Sequence, residues 1–90
     1  MNITLDAVDD TSCKIIERAG GTTVSNTIHI PASKDTVIAA IRELLADPEA
    51  TDATVDNIMV IRMRDVLKLT AGILNVEIKW ANVFPIALGA

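Results

Sequence analysis

The stretch IMVIRMRDVLKL, residues 58–69, decides the fold, because it sets Arg62 and Arg64 one residue apart inside the most apolar part of the chain. Read as a strand, it places Met59, Ile61, Met63, Leu67 and Leu69 on one face and Arg62, Arg64 and Lys68 on the other, since successive strand residues alternate sides. A helix across residues 56–70 is the competing reading. The segment ILNVEIKW, 73–80, repeats the alternation with Leu74, Val76, Ile78 and Trp80 inward and Asn75, Glu77 and Lys79 outward, and Thr70-Ala71-Gly72 supplies a turn between the two. A hairpin that sets Leu69 against Leu74 also sets Leu67 against Val76 and Met63 against Trp80, an apolar column suited to cross-strand packing. Asp65 breaks the pattern: this register points it inward opposite Ile78, which requires a bulge or a strand that leaves the sheet there. On this facing Ile61→Asp buries an unpaired charge and is severe, whereas Arg62→Ser is close to neutral.

Upstream, NITLDAV alternates Ile3, Leu5 and Ala7 against Asn2, Thr4 and Asp6, the pattern of a half-buried strand. Asp9-Asp10-Thr11 reads as a turn, CKIIERA as a second strand, and Gly20-Gly21 as the positive-φ corner of a tight hairpin. In TTVSNTIHI, Thr22, Val24, Asn26, Ile28 and Ile30 share one face, and Pro31, which has no amide to donate, ends the strand. These three strands form a meander. SKDTVIAAIRELLADP is a helix: Ser33 is a good N-cap, Asp35 suits the first turn, and Pro48 turns Asp47 away from helical angles. Val37, Ile38, Ile41, Leu44 and Leu45 recur at three- and four-residue steps and give it one apolar stripe. DPEATDATVD, with four acids and no base, reads as an exposed connection.

The expected architecture is therefore α+β: about five mostly antiparallel strands in one sheet, order βββαββ, with one helix from Ser33 to about Ala46 on one face. Residues 1–80 form a single domain and residues 81–90 an uncharged C-terminal arm. Half of the 90 residues are apolar, yet Trp80 and Phe84 are the only aromatics, so aliphatic side chains build the core. One cysteine cannot form an internal disulfide, and the amino-terminal residues show no basic leader, which points to a reducing, cytoplasmic origin. No uncharged apolar run approaches the roughly 20 residues of a membrane helix. Residues 1–56 hold ten acids against four bases, and residues 57–90 two acids against four bases, a polarity that steers association without fixing a fold.

The same sequence weighs against most chemistry. Cys13 and His29 are the only thiol and imidazole, too few for a zinc or haem site within one subunit. The plain readings are a buried structural thiol and an exposed histidine. Asp47, Glu49, Asp52 and Asp56 cluster as calcium ligands do but lack the alternate spacing and central glycine of an EF-hand loop. Gly20-Gly21 has no strand, phosphate loop and helix around it and reads as a plain turn. Arg62, Arg64, Lys68 and Lys79 form a basic stripe without interleaved aromatics in an acidic chain, which weakens a nucleic-acid reading. No catalytic, metal or cofactor-binding residue is assigned, and no small-molecule substrate, nucleic acid or membrane is expected as a partner.

What remains is ANVFPIALGA, residues 81–90, ten residues with no charge. An extended arm with Val83, Phe84, Ile86 and Leu88 interrupted by Pro85 is expected to dock on a neighbour, with Arg62 and Arg64 as further interface residues. The functional expectation is a non-enzymatic structural or assembly protein that forms homo-oligomers; a small virion component, a capsid or tail accessory protein, is one setting for it. The alternative is a small acidic regulator or inhibitor that occupies a partner's basic surface through the acids from Asp47 to Asp56.

Overall fold

The computed structural model describes residues 2–20 and 23–88. Seven strands and two helices follow one another: β1 (Asn2–Ala7), β2 (Cys13–Ala19), β3 (Thr23–Ile30), α1 (Lys34–Ala46), β4 (Asp52–Val55), β5 (Ile58–Arg62), β6 (Val66–Ala71), β7 (Leu74–Lys79) and α2 (Trp80–Ala87). They form two antiparallel meanders, a three-stranded sheet β1-β2-β3 and a four-stranded sheet β4-β5-β6-β7. The α+β class and the three-strand meander agree with the sequence. The single five-stranded sheet does not, and neither does the single helix.

The β1–β2 turn forms because one carboxylate organises it. Asp9 Oδ1 accepts from Thr11 N at 2.8 Å, from Thr11 Oγ1 at 3.0 Å and from Ser12 Oγ at 3.0 Å, an Asx-type arrangement in which a side chain stands in for backbone. These bonds, led by the Thr11 amide, hold the Asp9 carboxyl below its usual value of 3.8. The folded-state preference for the charged carboxylate is thus present above the ordinary carboxylate range and is lost as pH falls through the lowered value. Gly20 takes φ 63 at the β2–β3 corner; Gly21 and Thr22 lie outside the described residues. A bulge between Glu17 and Arg18 makes Ser25 an extra residue in the register, with Asn26 opposite Glu17 but Val24 opposite Arg18, and its Oγ donates to Glu17 O at 3.3 Å. The extra residue flips the strand end, so Val24 sits 49% exposed instead of sharing the inner face with Ile28 and Ile30.

Helix α1 begins and ends where expected. Ser33 Oγ accepts the Thr36 amide at 3.1 Å, and Asp47 leaves helical angles at φ −122. Val37, Ile38, Ala40, Ile41 and Leu44 are buried. Each large member of that stripe contributes roughly 1.5–3 kcal/mol through lost water contact.

The opening segment turns out to be two strands. β5 and β6 pair antiparallel, Met59 with Thr70 and Arg62 with Leu67, and the chain reverses through Met63, Arg64 and Asp65. The difficulty at Asp65 is resolved by the strand leaving the sheet, and the helical alternative does not form. In β5 and the residue after it the facing is opposite to expectation: Ile58 and Val60 are fully buried, whereas Met59 is 36% and Met63, just past the strand, 42% exposed. The four residues Ile58 to Ile61 are all apolar, so their alternation carries no polarity signal. In β6–β7 the faces hold and the register moves by two residues, with Leu69 opposite Val76, Leu67 opposite Ile78 and Ala71 opposite Leu74. Gly72, at φ 61, takes the first of two turn positions, where a tight hairpin requires positive φ.

Two further segments differ. Residues 52–55, expected as loop, form β4, which buries Ala53 and pairs with β5 through a turn in which Asp56 adopts φ 51. Trp80, expected to end a strand, and residues 81–87 of the expected extended arm 81–90 together form α2. Buried side chains of both sheets and both helices, including Leu5, Ile15, Ile41, Val60, Leu69 and Val83, join one cluster. The radius of gyration, 12.3 Å, equals the roughly 12 Å of a compact 90-residue domain and leaves no room for an arm held away from the body.

Candidate interaction surface

The arginines of the opening segment part company. Arg62 ends β5 on the same side as Ile58 and Val60 and reaches the end of α1, where no basic residue of the helix's own last turn caps it. Its Nε donates to Ala50 O at 2.9 Å, and Nη2 donates to Leu44 O at 3.0 Å and to Asp47 O at 3.3 Å. The planar fork thus ties the last turn of α1 to the connection that follows it, adding a charged donor to Leu44 O and Asp47 O, which already accept the Asp47 and Ala50 amides, and its charge meets the negative end of the helix dipole. The guanidinium also lies 5.7 Å from the Trp80 ring centroid, within range of a cation–π contact. Trp80 in turn donates from Nε1 to Met63 O at 3.1 Å. Met63 and Trp80 do meet, but through the Met63 carbonyl, with the Met63 side chain outward. Arg64 stands exposed in the β5–β6 turn.

The same device holds α2. Its last turn also lacks a basic residue, and Arg42 of α1 donates from Nε to Ala87 O at 2.6 Å. Nothing local in the sequence marks Arg42 for this, because its acceptor lies 45 residues away. Pro85 inside α2 removes the bond its amide would have made to Ala81 O, a defect that costs about 3 kcal/mol in a helix interior. Burial of Val83, Ile86 and Ala87 against the core and the Arg42 cap offset it.

Of the residues expected at an interface, Val83 (0% exposed) and Ile86 (3%) therefore belong to the chain's own core, and Arg62 is engaged by α1. Phe84 and Leu88 are 54% and 78% exposed, one helical turn apart. With Ala81 and Pro85, also exposed, they make the outer side of α2 as apolar as the inner side, and residues 80–88 carry no charge. A helix that is apolar all round is normally covered on every side. Beside this ridge runs an open groove of about 600 Å³ lined by Lys34, Asp35, Ile38, Ala39, Arg42 and Leu88, so a ridge and a groove share Leu88.

The other candidates do not converge. The basic stripe is divided: Arg62 faces inward, Lys68 lies directly opposite Glu77, and Lys79 precedes α2 as its N-cap. Asp47 accepts the Glu49 amide at 2.9 Å, and Asp56 forms the β4–β5 turn. No group of three or more metal-ligating side chains occurs among the described residues, and no helix among them is long and apolar enough to cross a membrane. His29 is exposed on β3. Cys13 is fully buried, and burial pushes its thiol from 9.0 up to about 11. A thiol reagent at neutral pH is accordingly expected to modify Cys13 only as fast as the chain opens. Prompt labelling of the folded protein would contradict this placement. The protonated buried thiol favours the folded state fully below pH 9.0 and progressively less as pH rises toward about 11.

The chain matches no family model, no curated protein and no solved structure.

Proposed function

We propose that this chain is a non-enzymatic assembly protein that forms homo-oligomers, with α2 as an interface. The observation that carries the reading is the uncharged helix whose outer side presents Ala81, Phe84, Pro85 and Leu88 to solvent. Scattered exposed apolar residues are ordinary, but a continuous row along one helix marks a contact surface. A second copy fits that row for two reasons. Related by a two-fold axis, two such ridges meet without opposing like charges, and Phe84 of each can enter the groove of the other, against Ile38, Ala39 and the stems of Lys34 and Arg42 that line it. An aromatic anchor in a pocket is the usual centre of such an interface. A repeated assembly such as a virion shell or tail would use a small subunit in this way.

The variant Phe84→Glu/Leu88→Glu tests it, because both side chains are exposed and neither supports the core. Its expected result is a lower solution mass than wild type at an unchanged melting temperature. A wild-type mass that survives both charges would remove α2 from the interface. Truncation after Asn82 is not an equivalent test, since it takes Val83, Ile86 and Ala87 out of the core.

A further inference from the structure

We infer that the outer edge of β3 is a second self-association site, pairing antiparallel with β3 of another copy, and that assembly therefore continues beyond a dimer. The β3 contact goes beyond the reading of α2, while assembly past a dimer rests on that reading as well.

Among the described residues, β3 is hydrogen-bonded on one side alone, to β2. Thr23 to Thr27 and His29 are exposed, while Ile30 is buried at the strand's base. Its other side presents a row of main-chain donors and acceptors to solvent. Sheet edges are normally protected by charge, by proline or by covering structure. The other three edge strands have such protection: β1 carries Asp6 and packs beside α2, β4 carries Asp52 and packs beside α1, and β7 carries Glu77 and Lys79 and runs directly into α2. β3, TVSNTIHI, has His29 as its one titratable side chain and no aspartate, glutamate, lysine or arginine.

Two features bound the segment available for pairing. The bulge at Ser25 disrupts the edge on one side, and Pro31 ends it on the other. Between them lie Asn26 to Ile30. An antiparallel two-fold axis near Ile28 would set Ile28 against its own copy, Thr27 against His29, and Asn26 against Ile30. The half-buried Ile28 would then be covered by its mate, and His29 would oppose Thr27 and not its own copy. The occupant that supplies this complement without further assumption is a second copy, and its addition would join two three-stranded sheets into one continuous six-stranded sheet. With α2 as a separate two-fold contact, two distinct two-fold interfaces on one chain extend the assembly past the pair.

Solution mass of four proteins tests this: wild type, Thr27→Lys/His29→Lys, Phe84→Glu/Leu88→Glu, and the combination. Thr27 and His29 are exposed, so lysines there oppose each other across the proposed axis without entering the core. Wild type is expected above twice the 9.6 kDa chain mass, each double variant at twice that mass, and the combination at the chain mass. Amide hydrogen exchange in residues 26–30 should slow on assembly in wild type and not in the β3 variant. A β3 variant with wild-type mass, or amides in 26–30 that exchange equally fast in dilute and assembled protein, would overturn the β3 inference and leave α2 standing. An α2 variant with wild-type mass would overturn the α2 reading and leave β3 standing. Wild type at the chain mass throughout would overturn both.

Discussion

Val60→Asp is expected to leave most of the chain unfolded at room temperature, whereas Ile61→Asp, one residue along, is expected to fold. Val60 is 0% exposed and sits in the cluster shared by both sheets and both helices. The substitution removes its burial, worth roughly 1.5–3 kcal/mol, and inserts a carboxylate with no partner, a further penalty of several kcal/mol. A 90-residue domain holds roughly 5–10 kcal/mol in total, so the loss is comparable with the whole. Ile61 is half-buried on the outer face, between Asp52 on β4 and Lys68 on β6. A carboxylate there stays in contact with water, and the Lys68 ammonium on one side offsets the Asp52 carboxylate on the other, so the expected cost is about 1–2 kcal/mol. Circular dichroism melts of the two proteins give the comparison directly. Equal losses, or the reverse order, would restore the opposite facing of β5.

Arg62→Ala is expected to cost about 2–4 kcal/mol, which corresponds to a fall in Tm of roughly 10 °C or more for a domain of this size. Three carbonyl oxygens, on Leu44, Asp47 and Ala50, lose a charged donor together, and the Trp80 ring loses the group above it. The total is smaller than the separate bonds would give, because the site is only partly buried and water replaces some of the bonds. Arg62→Lys is expected to recover less than half of the loss, since one ammonium cannot reproduce the planar fork that spans these carbonyls. Arg64→Ala, in the exposed turn, is expected to stay within about 0.5 kcal/mol of wild type. Thermal melts of the three variants check the ranking. An Arg62→Ala protein as stable as Arg64→Ala would mean that Arg62 does not brace the end of α1.

These expectations show where the sequence was legible. Helix α1 could be read because each of its signals is local: Ser33, Asp35 and Pro48 mark its ends, and its stripe has helical spacing. β7 could be read because polar and apolar residues alternate strictly from Leu74 to Lys79. β5 could not, since Ile58 to Ile61 are all apolar and either face satisfies the period; the reversal at Met63 to Asp65 then changed the relation between β5 and β6. Arg62 looked like a surface residue because its acceptors lie 12 to 18 residues back along the chain and become neighbours only when α1 docks on β4 and β5. α2 could not be read, since Lys79 makes no side-chain cap bond that would mark its start, and the core contacts and Arg42 cap that hold it are tertiary. The candidate interface was legible as composition, an uncharged apolar terminus, but not as a surface. Its division into buried Val83 and Ile86 and exposed Phe84 and Leu88 requires helical periodicity that an extended arm does not have.

The same division separates the assembly reading from the alternative of an acidic regulator. An interface built on Phe84 and Leu88 is insensitive to ionic strength or strengthened by it, whereas contact through Asp47, Glu49, Asp52 and Asp56 with a basic partner weakens steeply as salt screens it.

Light scattering of the wild-type chain across a concentration series, at low and at high salt, tests the central claim most directly. Self-assembly through uncharged surfaces predicts a mass above 9.6 kDa that rises with concentration and persists at high salt; a mass of 9.6 kDa at every concentration and in both salts would contradict it.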